Sequence, residues 1–265
     1  MPHHLLQFAK KLAYDAGKMA LTYQKKGFSV STKTFAVDLV TDIDKLCDEF
    51  ISKTIRTHFP DHSILSEESG LTEGTGDYKW IVDPIDGTTN FAHGLPLFAV
   101  SIAVIHKGKP IIGVVEIPGL GETFWAQEGK GTHIGMKKIQ VSKTANLEKG
   151  LLATGFPYAR TEPRYKKNIE LFDAFYAAGQ GVRRFGSAAV DLCFVASGRF
   201  DGFWEYDLQT WDVAAGKIIV EEAGGMVTNM DGSTFNPKLK NILASNGLVH
   251  SDMLRVIKEH GADKI

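Results

Sequence analysis

Two aspartates lie three residues apart at the end of an apolar stretch, and their surroundings point to metal-dependent chemistry. Asp83 and Asp86 flank Pro84, and the tripeptide Gly-Thr-Thr follows. Carboxylate oxygens are the ligands that Mg²⁺ prefers in proteins. A Gly-Thr-Thr segment can begin a helix, and the first backbone N–H groups of a helix bind phosphate. This stretch therefore predicts metal ligands beside a phosphate cradle, and hence phosphoryl chemistry.

The same residues also have a purely structural explanation. Asp-Pro and Asp-Gly are common turn dipeptides, so a capped turn explains Asp86 alone as well as a metal site does. We expect Asp83 to end a strand, because the following proline holds it in an extended conformation. Asp86 is then expected in the turn that follows, where both carboxylates can face one point.

Further acids follow other apolar segments. Glu67 and Glu68 end a second predicted strand. Adjacent residues of a strand point in opposite directions, so only one of the two should reach the site. The alternative is that both lie in a solvated loop. Asp212 lies at a predicted helix start, where a plain N-cap is the alternative, although a capping carboxylate keeps lone pairs for a metal. Like charges brought together repel strongly, so a shared site predicts more than one divalent cation. The expected cluster comprises Glu67, Asp83, Asp86 and Asp212.

Composition and absent motifs exclude other classes. The 265 residues contain 30 Lys and Arg against 31 Asp and Glu, so charge gives no reason to expect nucleic acid or an anionic membrane as a partner. The sequence lacks a zinc-protease His-Glu-x-x-His motif, since its His-x-x-x-His pair at 58 and 62 carries Phe in place of the Glu and includes Pro60; it also lacks a Walker loop and a Gly-x-Ser-x-Gly elbow. We expect Cys47 and Cys193 to be reduced core thiols of a cytoplasmic protein, because no secretory signal or membrane-spanning run accompanies them. His93 is expected to lie at the surface or to support the site from outside.

Periodicity places these residues in a mixed α and β chain of two packed halves, 1–145 and 146–265. Helices are predicted over 3–26, 42–59, 166–178, 187–196, 212–223 and 248–260. Strands are predicted over 62–68, 79–83, 98–106, 111–117, 123–127, 151–154, 181–185 and 203–206, with two more before the last helix. The glycine-containing segment 69–78 is expected to be a flexible loop beside the site.

Four motifs in order give the chain a close resemblance to the inositol monophosphatase family of Mg²⁺-dependent, Li⁺-sensitive phosphatases. The resemblance covers nearly the whole sequence. Its motifs are Ser-Glu-Glu-Ser at 66–69, the Trp-to-Phe segment at 80–91, Trp-Asp-Val-Ala-Ala-Gly at 211–216 with 221–225, and Lys33 with 37–41 and Asp44. The resemblance implies a layered αβαβα sandwich, in the α+β or α/β class, and a homodimer.

The resemblance also implies roles for individual residues. Glu67, Asp83 and the Ile85 carbonyl would hold a first Mg²⁺; Asp83, Asp86 and Asp212 would hold a second; and a third, weaker ion would lie near Glu67. Thr88, with Asp44, would orient and help to deprotonate the attacking water. The Gly87 and Thr88 amides would hold phosphate, and the alcohol would meet Asp86, Gly186, Ser187, Ala188, Glu205 and Asp212.

The substrate within the family stays open at this point. The Thr-Thr-Asn form of the central motif and Glu205 favour the inositol branch, because a carboxylate can accept hydrogen bonds from a polyol. Related enzymes act on sugar, histidinol or nucleotide phosphates, and at least one bacterial relative also acts in RNA synthesis, which leaves a regulatory binding protein as an alternative. A glycosidase with Trp204 or Trp211 stacked on sugar is a further alternative, and it predicts activity in chelator.

Overall fold

The protein is described by a computed structural model over residues 2–32 and 39–265. These residues contain seven α-helices: α1 (Pro2–Lys26), α2 (Asp42–His58), α3 (Thr88–Ala92), α4 (Pro163–Ala178), α5 (Ala188–Ala196), α6 (Thr210–Glu222) and α7 (His250–Glu259). Every predicted helix is present. Helix α2 begins at a capping box between Thr41 and Asp44 and stops just before Pro60, as the sequence indicates.

The described residues also contain fifteen strands. They are β1 (Val30–Thr32), β2 (Leu39–Thr41), β3 (Ser63–Ser66), β4 (Gly70–Thr72), β5 (Tyr78–Asp86), β6 (Ala99–His106), β7 (Lys109–Ile117), β8 (Glu122–Gln127), β9 (Gly131–Ile134), β10 (Lys137–Ile139), β11 (Leu151–Thr154), β12 (Gly181–Arg183), β13 (Gly202–Tyr206), β14 (Met226–Thr228) and β15 (Asn241–Ser245).

The strands form two large sheets and one small ribbon. An eight-stranded sheet has the order β10-β9-β8-β7-β6-β5-β3-β4 and is antiparallel except where β3 pairs with β5. A five-stranded sheet has the order β12-β11-β13-β15-β14, with its first three strands parallel. β1 and β2 form the ribbon.

Five layers result, because each large sheet is covered by helices on both faces. Alternate residues of β5 show this: Trp80 packs among α1 and α2, whereas Ile81 packs with α5 and α6. Helices α5 and α6 also contact the inner face of the smaller sheet, and α4 and α7 cover its outer face. Strands buried on both faces are expected to be apolar nearly throughout, as β6 is. The order α, β, α, β, α confirms the expected sandwich.

Several boundaries differ from the prediction. The predicted loop at 69–78 contains edge strand β4, paired with β3, and Gly74 N–H donates to Ser63 Oγ at 3.0 Å. Strand β12 ends at Arg183 rather than at residue 185, and Ser187 is the N-cap of α5 rather than its first residue. Short strands such as β1 and β2 were not predicted, because their pairing is set by tertiary contacts and their sequences are too short to show a period.

The cysteines, the N-terminal motif and the question of a membrane span can also be compared with the structure. Cys47 and Cys193 are buried, unpaired thiols, as predicted. Lys33 and residues 37–38 of the N-terminal motif lie outside the described residues, and the division at residue 145 stays a prediction. Over residues 2–32 and 39–265, no helix is long and apolar enough to cross a membrane.

Candidate active site

A β-bulge in β5 turns Asp83 and Asp86 toward the same side. Asp83 pairs with Ser101 and Asp86 with Ala99, so three steps along β5 oppose two along β6. In a regular strand, residues three apart face opposite sides of the sheet, and one extra residue restores a common face. The sequence places Asp86 in a turn after the strand; the structure corrects this, because β5 continues through Asp86. The Asp83 side chain is only 2% exposed, and its Oδ1 accepts the Ile85 N–H at 3.0 Å.

Parallel pairing brings Glu67 beside Asp83. Ser66 of β3 lies opposite Val82 of β5, so the residue that follows each strand lies at the same sheet edge. The Glu67 N–H also donates to the Val82 carbonyl at 3.2 Å. Glu67 lines the cavity at this edge and Glu68 does not, which agrees with the prediction that only one of the two reaches it.

Asp86 joins the two large sheets through α5. Its Oδ2 accepts the Ser187 hydroxyl and the Ala189 N–H, both at 2.6 Å. Between them, Gly87 has φ +89°, and a Cβ there would lie 3.1 Å from both the Gly186 carbonyl oxygen and the Ser187 Cβ. Glycine is therefore required for both conformation and space, and this close approach places the start of α3 against the start of α5.

Asp212 lies in the first turn of α6, not at its N-cap. The helix begins at Thr210, and the Gln209 N–H donates to Asp212 Oδ2 at 2.6 Å. Capping thus occupies one oxygen of the carboxylate, and Asp212 still lines the cavity. The capping and ligand interpretations are compatible in this geometry.

Thr88 and Asp44 form a hydrogen-bonded pair at the edge of the acidic cluster. Thr88 Oγ1 lies 2.9 Å from Asp44 Oδ1 and 3.1 Å from the Ile85 carbonyl oxygen. Asp44 is fully buried, and its other oxygen accepts the Thr41 N–H at 2.9 Å and the Thr41 hydroxyl. The capping box of α2 therefore fixes the carboxylate that faces Thr88.

A cavity of about 220 Å³ unites the predicted site. It is lined by Glu67, Asp83, Ile85, Asp86, Gly87, Thr88, Gly186, Ser187, Ala188, Glu205 and Asp212, together with residues that sequence reasoning did not select. Asp44 lies behind Thr88 rather than on the cavity wall. We call this space the acidic chamber. Every residue predicted for the site is thus in the chamber or hydrogen-bonded to a residue that lines it.

Three aspartates of the chamber, Asp83, Asp86 and Asp212, hold protons more tightly than ordinary carboxyls. Burial, and then the charges of Glu67 and its neighbours, raise the pKa of Asp83 well above its usual range. Burial and the charge of Asp86 likewise raise the pKa of Asp212. Burial also raises the pKa of Asp86 to about 6, although hydrogen bonds from Ser187 and Ala189 oppose the rise. The chamber therefore disfavours its own negative charge when no cation balances it.

These observations fit a hard divalent metal. The donors are oxygen atoms only, as Mg²⁺ requires, and a cation would relieve the repulsion that raises the pKa of Asp83 and Asp212. In the described parts of the chain, no three His, Cys, Asp or Glu side chains are close enough together to form a metal-ligand group as they stand.

Mg²⁺ should stabilise the protein increasingly as pH rises from about 4 to 7. A folded carboxyl whose pKa is raised keeps a proton that the unfolded chain has lost, so metal-free stability falls as pH rises through this window. Mg²⁺ needs ionised ligands, so its stabilisation grows over the same window. We expect the difference in Tm with and without Mg²⁺ to grow by about 5 °C or more. Thermal unfolding at three pH values tests this. Asp252→Asn, at a partly exposed side chain that does not line the acidic chamber, should keep the trend. A Tm difference that does not change with pH would contradict the assignment of a metal site.

Sequence reasoning missed one wall of the chamber. Phe156, Pro157 and Tyr158 follow β11, and Arg184 follows β12. Both strands are parallel to β13, so their carboxyl ends point to the edge that carries Glu205. The signal that could have found these residues is that each follows a strand of a parallel sheet. Using it requires the order in which the strands pair, and the sequence does not show that order.

Gly155→Ala is expected to disturb the side of the chamber that carries Glu205 without unfolding the protein. A Cβ at Gly155 would lie 2.0 Å from Glu205 Oε1 and 2.3 Å from its Oε2. The carboxylate is the mobile end of a flexible side chain, so it should move away rather than break the fold. If Glu205 binds the substrate alcohol, KM should rise about tenfold, the cost of one charged hydrogen bond, with little change in kcat.

Steady-state kinetics on Gly155→Ala, Glu205→Ala and the double variant test this effect. The double variant should match Glu205→Ala, because Gly155 acts only through that carboxylate. A further rise in KM in the double variant, or no rise in Gly155→Ala itself, would show that Gly155 does not position Glu205.

Comparison with known proteins agrees with this geometry. A sequence profile of the inositol monophosphatase family matches residues 1–262. The chain is 43% identical to Phosphatase IMPL1 of Arabidopsis thaliana, over 97% of this chain and 70% of that protein. It is 38% identical to Nus factor SuhB of Pseudomonas aeruginosa, over 97% and 96% of the two chains. The solved structure of inositol monophosphatase from Anabaena has a TM-score of 0.87 and 40% identity, covering 97% of this chain and 96% of that one. The chain therefore belongs to the inositol monophosphatase family.

Proposed function

We propose that this protein is a Mg²⁺-dependent phosphomonoesterase that hydrolyses myo-inositol monophosphates to inositol and phosphate. Family membership supports a phosphatase, and the reaction and substrate are the finer part of the proposal. The observation that carries it is the Thr88–Asp44 hydrogen bond of 2.9 Å at the edge of a chamber whose candidate metal ligands are all oxygen atoms. A chamber of this kind can hold a phosphate ester, divalent cations and a water molecule together.

Thr88 and Asp44 position the water and accept its proton. When Thr88 donates its hydroxyl hydrogen to Asp44 Oδ1, its oxygen keeps lone pairs that can accept a hydrogen bond from water in the chamber. Burial raises the pKa of Asp44, against the hydrogen bonds from Thr41 and Thr88, so this carboxylate is a stronger base than one in water. A threonine hydroxyl alone is a poor base, and the buried carboxylate behind it supplies the proton acceptor.

The metal ligands that the family resemblance implies are all donors that line the chamber. Glu67, Asp83 and the Ile85 carbonyl would hold one Mg²⁺, and Asp86 and Asp212, sharing Asp83, would hold another. A third, weaker ion would lie near Glu67. When bound, the cations lower the pKa of water and offset charge on the phosphate and on the leaving oxygen.

The substrate assignment depends on the residues opposite the acids. Gly87 and Thr88 lie at the start of α3, where backbone amides can hold phosphate. Glu205 and the segment at 186–188 line the other side and would meet the polyol hydroxyls. Burial raises the pKa of Glu205 to about 8, against the charge of Arg184, so its carboxyl can both donate and accept hydrogen bonds near neutral pH.

A regulatory binding role is the second candidate. Similarity to a protein named Nus factor SuhB favours it, and it is compatible with retained phosphatase activity. A related sugar or histidinol phosphate phosphatase remains the alternative within the same chemistry. We also propose a cytoplasmic homodimer that is inhibited by Li⁺, on the strength of family membership.

A substrate panel tests the proposed function. Phosphate release is measured from D-myo-inositol 1-phosphate, fructose 1,6-bisphosphate and histidinol phosphate, each in Mg²⁺ and in chelator. Mg²⁺-dependent release that is fastest from the inositol ester supports the proposal. Comparable turnover of histidinol phosphate would refute the substrate, and equal rates in chelator would refute the metal dependence. If no ester is hydrolysed, the regulatory role becomes the better account, and it is tested by asking whether a catalytically dead variant still supports growth.

A further inference from the structure

Asp207, the residue that follows β13, has a backbone conformation that few residues other than glycine adopt. Its φ is +62°, in the left-handed region. The Asp207 N–H donates to the carbonyl of Lys240 at 2.6 Å, and Lys240 is itself left-handed, with φ +52°. A residue other than glycine that is held in this region costs free energy, and such residues cluster at binding and active sites. The side chain of Asp207 is therefore worth following into its surroundings.

Asp207 lies on the same side of β13 as Glu205. Alternate residues of a strand face opposite sides of the sheet, and Tyr206 between them is buried on the outer face of the smaller sheet, among residues of α4 and α7. Asp207 and Glu205 both line the acidic chamber. Burial raises the pKa of Glu205, and the charges of Asp86 and Asp207 add to that rise, so the carboxyl groups of Glu205 and Asp207 lie near each other.

Arg164 of α4 holds the Asp207 carboxylate from outside the chamber. Its Nη1 donates to Asp207 Oδ1 at 2.6 Å, and its guanidinium lies over the Tyr206 ring, 6.0 Å from the ring centroid. The Asp207 side chain is 33% exposed, and its Oδ2 keeps lone pairs for a ligand in the chamber. An ion pair this exposed adds little stability. A strained backbone that carries a held carboxylate fits a role in binding better than a role in stability.

We propose that Asp207 is a substrate-binding residue that selects polyhydric alcohols. Together with Glu205 it gives one wall of the acidic chamber two carboxyl groups, which can form hydrogen bonds with two hydroxyls of one ring. Hydrogen bonds to a charged group are stronger than neutral ones, and an alcohol without hydroxyls would leave these groups unpaired. This inference rests on the proposed phosphatase function, and it adds a residue that lies outside the four family motifs.

Two esters built on the same ring test this role. myo-Inositol 1-phosphate carries free hydroxyls on a six-membered carbon ring, and cyclohexyl phosphate carries none. KM and kcat are measured for both with wild type, Asp207→Asn and Asp207→Gly at saturating Mg²⁺; for an ester that binds but is not hydrolysed, the inhibition constant replaces KM. Asp207→Asn keeps the shape of the side chain, and asparagine also tolerates the left-handed region.

Asp207→Asn should raise KM for the inositol ester about fivefold, because a neutral amide oxygen accepts weaker hydrogen bonds than a carboxylate. Asp207→Gly removes the acceptor altogether and should raise KM about tenfold. Neither variant should change KM for cyclohexyl phosphate. Equal rises for the two esters, or no rise for the inositol ester in either variant, would overturn the assignment, since a purely structural role would affect both esters alike.

Lys240→Gly is the matched control. It removes a second left-handed side chain beside Asp207, one that is exposed and does not line the acidic chamber. Both glycine variants should keep the wild-type Tm to within about 4 °C, because glycine adopts this conformation without strain. Only Asp207→Gly should raise KM for the inositol ester, and an equal rise in Lys240→Gly would show that the effect comes from the turn and overturn the assignment.

If neither ester is hydrolysed, the proposed function fails separately, and calorimetric titration with myo-inositol 1-phosphate in Mg²⁺ decides the inference. Binding that is about fivefold weaker in Asp207→Asn than in Lys240→Gly supports the role of Asp207. Equal binding by the two variants, or no binding by wild type, overturns it.

Discussion

Replacing Asp83 with Asn should lower Mg²⁺-dependent phosphate release by at least about 10³-fold, an effect as large as the loss of a preorganised catalytic group. Asp83 is buried, follows Val82 beside Glu67, and faces Asp86 across the bulge of β5. It is the one carboxylate assigned to both principal metal positions. Asn keeps the shape of the side chain but removes the charge that would hold the cations.

The same substitution should leave the fold intact, which separates a metal defect from an unfolded protein. In the absence of metal, Asp83→Asn should be at least as stable as wild type, because it removes a buried acid whose pKa is raised by burial and by Glu67. Asp252→Asn, at a partly exposed side chain away from the acidic chamber, serves as the matched control and should keep wild-type activity. If Asp83→Asn retained more than about a tenth of the wild-type rate, Asp83 would not be a metal ligand of the reaction.

Thr88→Ala and Asp44→Asn should each lower kcat by about 10²- to 10³-fold, and the double variant should be no worse than the poorer single variant. The reason is that the two side chains act as one unit. The Thr88 hydroxyl faces Asp44 Oδ1 at 2.9 Å, and the carboxylate is removed from water behind it. Removal of either partner should interrupt the same proton path.

Kinetics of the three variants at saturating Mg²⁺ form a double-mutant cycle. Thr57→Ala is a suitable control, because its hydroxyl lies on the same helix as Asp44 and donates only to the Lys53 carbonyl. Losses that multiply in the double variant would show that Thr88 and Asp44 contribute independently, which would refute the relay.

Local sequence was sufficient for the elements with strong periodicity and clear ends. Helix α1 ends at Lys26, before Gly27 in the left-handed conformation, and α2 begins at the Thr41 cap. It was not sufficient for the bulge between Asp83 and Asp86. That irregularity is defined by pairing with Ser101 and Ala99, which belong to another strand. Propensity within β5 carries no information about that register.

The sequence likewise predicted one part of the candidate site and missed another. Acids that follow apolar strands or begin helices could be selected from sequence, since such ends gather at one sheet edge when strands are parallel. The wall that contains Phe156, Tyr158 and Arg184 could not be selected, because these residues follow different strands and meet only through tertiary packing. None of these residues forms a local motif, and their shared property is a position on one cavity wall.

Phosphate release from D-myo-inositol 1-phosphate, measured in chelator and again after Mg²⁺ is restored, tests the central claim most directly. The arrangement of Glu67, Asp83, Asp86 and Asp212 around one chamber predicts no turnover in chelator and full recovery with Mg²⁺. Turnover that continues unchanged in chelator would contradict the account, because the acidic chamber would then be acting without the cations that its carboxylates are proposed to hold.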